Sequence, residues 1–407
     1  MKRFITISLV IVFICIGFSG CDLLDVINQL ASNVYKSGET TVEIITEEYG
    51  VSSPEFNSCF NSLEPKQKEI YEKLSSVCEE MPIGYVKICD DYDKAVRDIS
   101  IAYRAVLNDN TDIFWMPDTY IVSRKQTEDN KREVRIAFEY ANSGSKTVKY
   151  PVTRKERDIM RNKLKEQVDF IVSQVKDLNN DLEKEKFFND YICENTVYGT
   201  DQKFVNTSYG CLVDKTALCE GYSRAFKLLC NKVGVECDLI VGKAEGEGHM
   251  WNSVNIDGKH NYVDVTWNDR PDYKYLYFNI TDEQLEYDHT LSPLYSEVTE
   301  KEVRSGSSYN FVRRECCYLG NIYYQVYGYI LGDDFEDEYV DKACYYIKKD
   351  VSEGQNYTEF WLKNDKVKRM FLKNEEDFIK NIQNKLNDIR ISSYIFKRDV
   401  LVLYFNE

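Results

Sequence analysis

An α+β fold, in which a helix bearing a cysteine packs on an antiparallel sheet bearing a histidine and an aspartate, flanked by smaller α+β modules, is what this 407-residue sequence predicts. Three observations predict it. After Cys219 the apolar residues Tyr222, Ala225, Phe226, Leu229 and Cys230 recur at steps of three and four, as on one face of a helix. Downstream, HMWNSVNI and KHNYVDVTW flank Asp257-Gly258, the dipeptide favoured in a two-residue type I′ hairpin loop. Elsewhere, helix-spaced and strand-like segments fall in separate blocks.

Taken from the N-terminus, residues 1–20 read as a lipoprotein signal peptide. Lys2 and Arg3 precede an apolar run from Phe4 to Ile16, too short to span a bilayer but suited to a secretory leader. Phe18-Ser19-Gly20 then leads into Cys21 and resembles the lipobox of bacterial lipoproteins, with Phe18 where leucine is usual. The expected mature chain starts at an acylated Cys21, whose lipid holds it to the extracytoplasmic face of a bacterial cell membrane. Residues 21–50 read as a polar spacer. Within 51–180, an N-terminal helical and α+β region, FWMPDTYIVSR and REVRIAFEYA read as strands. Met160, Leu164, Val168, Ile171, Val175 and Leu178 predict one helix from Arg154 to Leu178. Residues 181–300 carry the chemistry. In 305–407, a separate α+β module, NIYYQVYGYIL, TEFWLK and DVLVLYF read as strands and NEEDFIKNIQNKLNDI as a helix.

Composition removes several functions from consideration. With 52 basic against 68 acidic residues, a net charge of −16 disfavours nucleic acid, whose phosphates need Lys and Arg. Aromatic content of 14% is what a folded chain needs. Three histidines and no paired CxxC predict neither metal nor cofactor. Cys15 leaves with the leader and Cys21 takes the lipid, so an odd number of the thirteen cysteines remains and at least one is unpaired within the chain.

Cys219 falls in the first turn of its helix, where unpaired N–H groups and the positive end of the macrodipole stabilise a thiolate. Strand parity supplies its base. If Ile256 faces Lys259, His249 faces Thr266 and Trp251 faces Asp264. His249 and Asp264 then share a sheet face as diagonal neighbours, about 7 to 8 Å apart at Cβ, and the carboxylate can orient the imidazole. Asp is depleted from strand interiors, so Asp264 between Val263 and Val265 is informative in itself.

At these residues the chain resembles the transglutaminase-like superfamily, of papain-like topology with a Cys-His-Asp triad. The matching stretches are GCLVDKTALCEGYSRAFKLLCNKVGVECDLIVG, GHMWNSVNIDGKHNYVDVTWND and YLYFNITDEQLEYDH, within about residues 182 to 290. The resemblance implies Cys219 as nucleophile, His249 as base and Asp264 as orienting carboxylate. FFNDYICENTVYG resembles the helix leading into that core, with Asn189 where many members have histidine.

The residues then imply a reaction on a protein or peptide substrate. Cys219 attacks an amide carbonyl, His249 protonates the leaving amine, and water or another amine resolves the thioester. The Cys219 N–H is one oxyanion donor, with Tyr198 and Tyr209 as candidates for a second. Glu245 and Glu247 would raise the His249 pKa if close, and Trp251 would screen Asp264 from water. His289 lies outside the hairpin and reads as structural. Hydrolysis of peptide or isopeptide bonds leads over transfer of an amine to protein glutamine, because nothing suggests a water-excluding amine tunnel. A non-catalytic surface binding or scaffold module is the third possibility.

Overall fold

A proline at the first helical position and a capping box between Glu64 and Gln67 start helix α1 (Pro65–Glu80). It packs against α2 (Ala95–Asp109) beside an antiparallel three-stranded sheet of β1 (Val86–Asp90), β2 (Ile121–Gln126) and β3 (Arg132–Ala137), with β3 in the middle. These coordinates come from a computed structural model that describes residues 56–141, 147–270, 273–316, 320, 322–332, 338–363 and 365–406. The leader, Cys21 and the rest of the 21–55 segment lie outside the described residues. No helix among the described residues is long and apolar enough to cross a membrane.

Thr153 and Glu156 box the start of α3 (Arg154–Ser173), which is shorter than the periodicity predicts. Its expected last turn tightens into i+3 bonds, Gln174 N–H to Ile171 O and Val175 N–H to Val172 O, while Ser173 Oγ donates to Phe170 O at 2.7 Å. The apolar stripe continues to Val175 although the helix does not. Helix α4 (Asp181–Asn195) follows, capped by Asn180.

Helix α5 (Cys219–Lys232) starts at the cysteine and stops before Gly234, whose φ of +84° is a left-handed conformation that glycine adopts without strain. It lies on a five-stranded antiparallel sheet of β4 (Cys237–Ala244), β5 (Glu247–Ile256), β6 (Lys259–Val263), β7 (Phe278–Ile280) and β8 (His289–Leu291), in the order β7-β6-β5-β4-β8. Ser223 Oγ donates to Met250 O at 2.9 Å and Asn252 Nδ2 to Ser223 O at 3.0 Å, fixing α5 to β5. Arg224 donates to Leu107 O at 2.6 Å, tying α5 to α2.

The C-terminal residues fold into β9 (Tyr329–Leu331), α6 (Tyr339–Ser352), β10 (Tyr357–Leu362), α7 (Asp365–Lys373), α8 (Glu375–Gln383), β11 (Arg390–Lys397) and β12 (Val400–Asn406). Their sheet runs β9-β10-β12-β11, with β9 parallel to β10. NIYYQVYGYIL departs from the strand prediction: Ile322–Val326 is helical and only Tyr329–Leu331 is strand. A short apolar run has no period that separates helix from strand, and packing decides, since Tyr323 stacks on Tyr275 with ring centroids 3.6 Å apart.

Alternation in β12 joins this sheet to the rest. Leu401, Leu403 and Phe405 pack with Val340, Ile347 and Phe371 of its own helices. Val400 and Val402 face the other way and pack with Ile240, Trp251, Tyr262 and Tyr277 of the five-stranded sheet. That sheet is therefore covered by α5 on one face and by the C-terminal sheet on the other. The described residues form one compact unit.

Candidate active site

Three elements converge on one point. Helix α5 presents Cys219 at its first residue, half-buried, where the first N–H groups have no intrahelical acceptor. Strand β5 presents His249, and the end of β6 delivers Asp264. The β5–β6 register runs from Ile256↔Lys259 to Asn252↔Val263, as the Asp257-Gly258 turn predicts. Both turn residues have positive φ, 52° and 78°.

Pairing ends at Val263, which corrects the expectation that Trp251 faces Asp264 and His249 faces Thr266. Asp264 leaves the strand and becomes the N-cap of a short helix, Val265–Asn268, its Oδ1 accepting from Trp267 N–H at 3.1 Å. This explains an aspartate in a strand-like run. Its Oδ2 lies 2.7 Å from His249 Nε2. Since Nε2 faces Asp264, Nδ1 is left for Cys219, whose sulfur is near enough to help raise the pKa of the ring.

The electrostatics follow from burial. Desolvation works to lower the His249 pKa, but Asp264 beside it, and then the Cys219 sulfur, outweigh this and push it up to about 10. Asp264 is buried, which works to raise its pKa, yet His249 and His289 hold it down to about 2. Trp251 is fully buried and stacked on His249 at 6.0 Å, so it packs beside the imidazole rather than opposite the carboxylate.

The other residues singled out from the sequence separate cleanly. Tyr198 is exposed and near the centre: burial, then the Cys219 and Asp264 charges, raises its pKa. Tyr209 is not at the site but buried against Phe114, 4.8 Å between centroids. Glu245 and Glu247 are exposed at the β4–β5 turn, and the charges that raise His249 come from Asp264 and Cys219. Asn189 is buried in α4, where its Oδ1 accepts from Asn268 Nδ2 at 3.0 Å; Asn268 Oδ1 in turn accepts from Tyr277 N–H at 3.0 Å. An asparagine thus supports the short helix that Asp264 caps.

Sequence reasoning places His289 outside the site, and the structure corrects this. β8 pairs with the far edge of β4, and His289 Nε2 comes within 3.1 Å of Asp264 Oδ2. Gly242 permits it: a Cβ there would sit 2.0 Å from Thr290 O and 2.7 Å from the Trp251 ring. The only hint in the sequence is that glycine within a strand, a mark of close backbone approach. Donor atoms of His249, Asp264 and His289 lie within 4.8 Å of one another, and their mutual hydrogen bonds account for the cluster without a cation.

A cleft of about 680 Å³ opens between α2, the first turn of α5 and β5, lined by Tyr103, Tyr120, Glu220, Arg224, Met250 and Tyr309. Glu220 and Met250, the sequence neighbours of Cys219 and His249, are among the residues that line it.

Residues 169–276 match the Transglutaminase-like superfamily. The chain is 27% identical over 112 residues to a kyphoscoliosis peptidase of Mus musculus, covering 23% of this chain and 17% of that one. It is 33% identical over 61 residues to the Homo sapiens kyphoscoliosis peptidase, covering 12% and 9%. The chain thus spans less than a fifth of the length of these curated relatives. A solved structure of a TGase aligns with a TM-score of 0.25 and 18% identity, over 36% of this chain and 43% of that one.

Proposed function

We propose, starting from the transglutaminase-like domain that this chain carries, that it is a cysteine-dependent acyl-transfer enzyme hydrolysing peptide or isopeptide bonds through a Cys219 thioester. The observation that supports this most is the 2.7 Å bond from His249 Nε2 to Asp264, on a ring whose pKa Cys219 helps to raise. Sulfur as thiolate adds to the amide carbonyl, and the oxyanion meets the N–H groups of the α5 first turn, with Tyr198 as the candidate for a second donor. The C–N bond breaks as His249 Nδ1–H protonates the leaving amine. Water then gives a proton to His249 and adds to the thioester carbonyl, the C–S bond breaks and the acid departs.

Two outcomes are open for the thioester, and a Cys219 that is only half-buried favours water over an amine. Incubation of a glutamine peptide with a labelled primary amine is expected to give more free acid than amine adduct. Adduct in excess would make amine transfer the reaction. A Cys219 that iodoacetamide alkylates only as pH rises toward about 8.5, as for free cysteine, would leave a scaffold.

The enzyme is further proposed to sit on the extracytoplasmic face of a bacterial membrane through lipid on Cys21, with the polar spacer lifting the catalytic body clear. Cys21→Ala is expected to move the protein from the membrane fraction to the soluble one. Retention in the membrane would contradict the anchor.

A further inference from the structure

We propose that His289 is a positioning residue of the catalytic centre, set between Asp264 and Asp288 with both ring nitrogens donating, and that the C-terminal β11–β12 turn fixes Asp288 for it. This rests on the function proposed above and extends it from three groups to an alternating ladder: Cys219, His249, Asp264, His289, Asp288, and then Arg398 with Lys397.

The geometry is built from named contacts. His289 is buried, with Nε2 3.1 Å from Asp264 Oδ2 and Nδ1 2.6 Å from Asp288 Oδ1. Each nitrogen therefore faces a carboxylate oxygen, and both can donate only if the ring carries two N–H groups. Asp288 is kept ionised by the residues around it: Tyr277 OH donates at 2.8 Å, Lys397 Nζ lies at 3.0 Å, and Arg398 Nη2 is bonded to Oδ1. Burial works to raise the Asp288 pKa, but His289, Arg398, Tyr277 and Lys397 hold it well below the usual carboxylate range. The groups facing His289 are thus Asp264 and Asp288 directly, with His249, Tyr277, Lys397 and Arg398 beyond them.

Arg398 is the residue that marks this as more than a surface contact. It belongs to the C-terminal sheet, yet its side chain is 1% exposed against the catalytic sheet, its guanidinium 3.9 Å from the Tyr277 ring centroid. It occupies a turn with φ of 50°, followed by Asp399 at 66°. Its Nε and Nη1 are buried without a hydrogen-bond partner. Burying a guanidinium so incompletely paired costs stability. Lys397, which also reaches Asp288, would cap that carboxylate more cheaply from the surface. The C-terminal sheet is therefore a working part of the catalytic centre.

His289 shares Asp264 Oδ2 with His249, their ring centroids being 5.7 Å apart. His289→Gln keeps a donor for Asp264 Oδ2, a weaker one, and removes the nitrogen that faces Asp288. Iodoacetate is the probe: as an anion it reacts with a rate that depends on the neighbouring imidazolium as well as on the thiolate. Its rate at Cys219, followed by peptide mapping from pH 5 to 11.5, is expected to fall at high pH as His249 deprotonates. In His289→Gln that fall is expected about one pH unit higher, because the amide is a weaker donor than the imidazole and leaves more of the Asp264 charge to His249. Asp288→Asn is expected to move it the same way and serves if His289→Gln does not fold. An activated wild-type thiol whose profile neither variant moves would overturn the inference alone. A wild-type thiol behaving as free cysteine would overturn the proposed function and the inference with it.

Discussion

Asp264→Asn is expected to lower kcat by roughly 10⁴-fold while the fold survives, a loss of the size seen when the carboxylate of a catalytic triad is neutralised in place. The two oxygens of Asp264 do separable work. Oδ1 caps the Val265–Asn268 helix through Trp267 N–H, and an asparagine oxygen takes over that role. Oδ2 accepts from His249 Nε2. An amide NH₂ at that position donates instead, so Nε2 must become the acceptor and the ring proton moves to Nδ1. Nδ1 is the nitrogen turned to Cys219, and it can no longer take the thiol proton.

Stability changes with the same substitution, and its pH dependence follows from the two perturbed groups. His249 is raised from 6.5 to about 10, so its contribution is complete below 6.5 and is lost as pH rises through about 10. Asp264 is lowered from 3.8 to about 2, so its contribution is complete above 3.8 and is lost as pH falls through about 2. The advantage of wild type over Asp264→Asn in urea unfolding is therefore expected to be greatest between about pH 4 and 6.5. A variant within tenfold of wild-type kcat, or an advantage that does not depend on pH, would remove Asp264 from the mechanism.

What the sequence discloses here is what is local. The period after Cys219 and the Asp257-Gly258 turn are decided by neighbours in the chain, and helix α5 and the β5–β6 register follow them. The site has two parts that local signals do not reach. Asp264 reads as a strand residue because Val263 and Val265 flank it, and only the three-residue reach to Trp267 N–H makes it a cap. His289 joins the centre because β8 is the fifth strand of the sheet, paired with β4 rather than with its sequence neighbour β7. Arg398 is farther still, 110 residues from Asp288, and nothing in DVLVLYF marks the residue before it. Long-range sheet order, rather than weak propensity, separates the legible part of the site from the rest.

Glu185→Gln is the second large expected effect, and it stabilises. Glu185 on α4 is fully buried, with Oε2 accepting from Asn279 Nδ2 at 2.9 Å. Its Oε1 and Asn279 Oδ1 have no other partner. Burial pushes the Glu185 pKa up to about 8, against the pull of the Asn279 bond. Protonated, the acid has an O–H to offer the Asn279 oxygen, and the acid and amide pair at both ends. Asn279 lies on β7, so this pair clamps the edge strand of the five-stranded sheet to α4. Between pH 4.5 and about 8 the unfolded chain has released the proton and the folded chain keeps it, so stability falls as pH rises through that window and levels above it. A glutamine donates and accepts in the same places with no proton to lose. The variant is expected to match wild type near pH 4.5 and to exceed it by about 2 to 4 kcal/mol at pH 8.5, since each tenfold change in proton affinity between folded and unfolded chains corresponds to about 1.36 kcal/mol. Urea unfolding at three pH values reads it, and a gap between the two proteins that stays constant from pH 4.5 to 8.5 would show that the buried acid does not carry the proton.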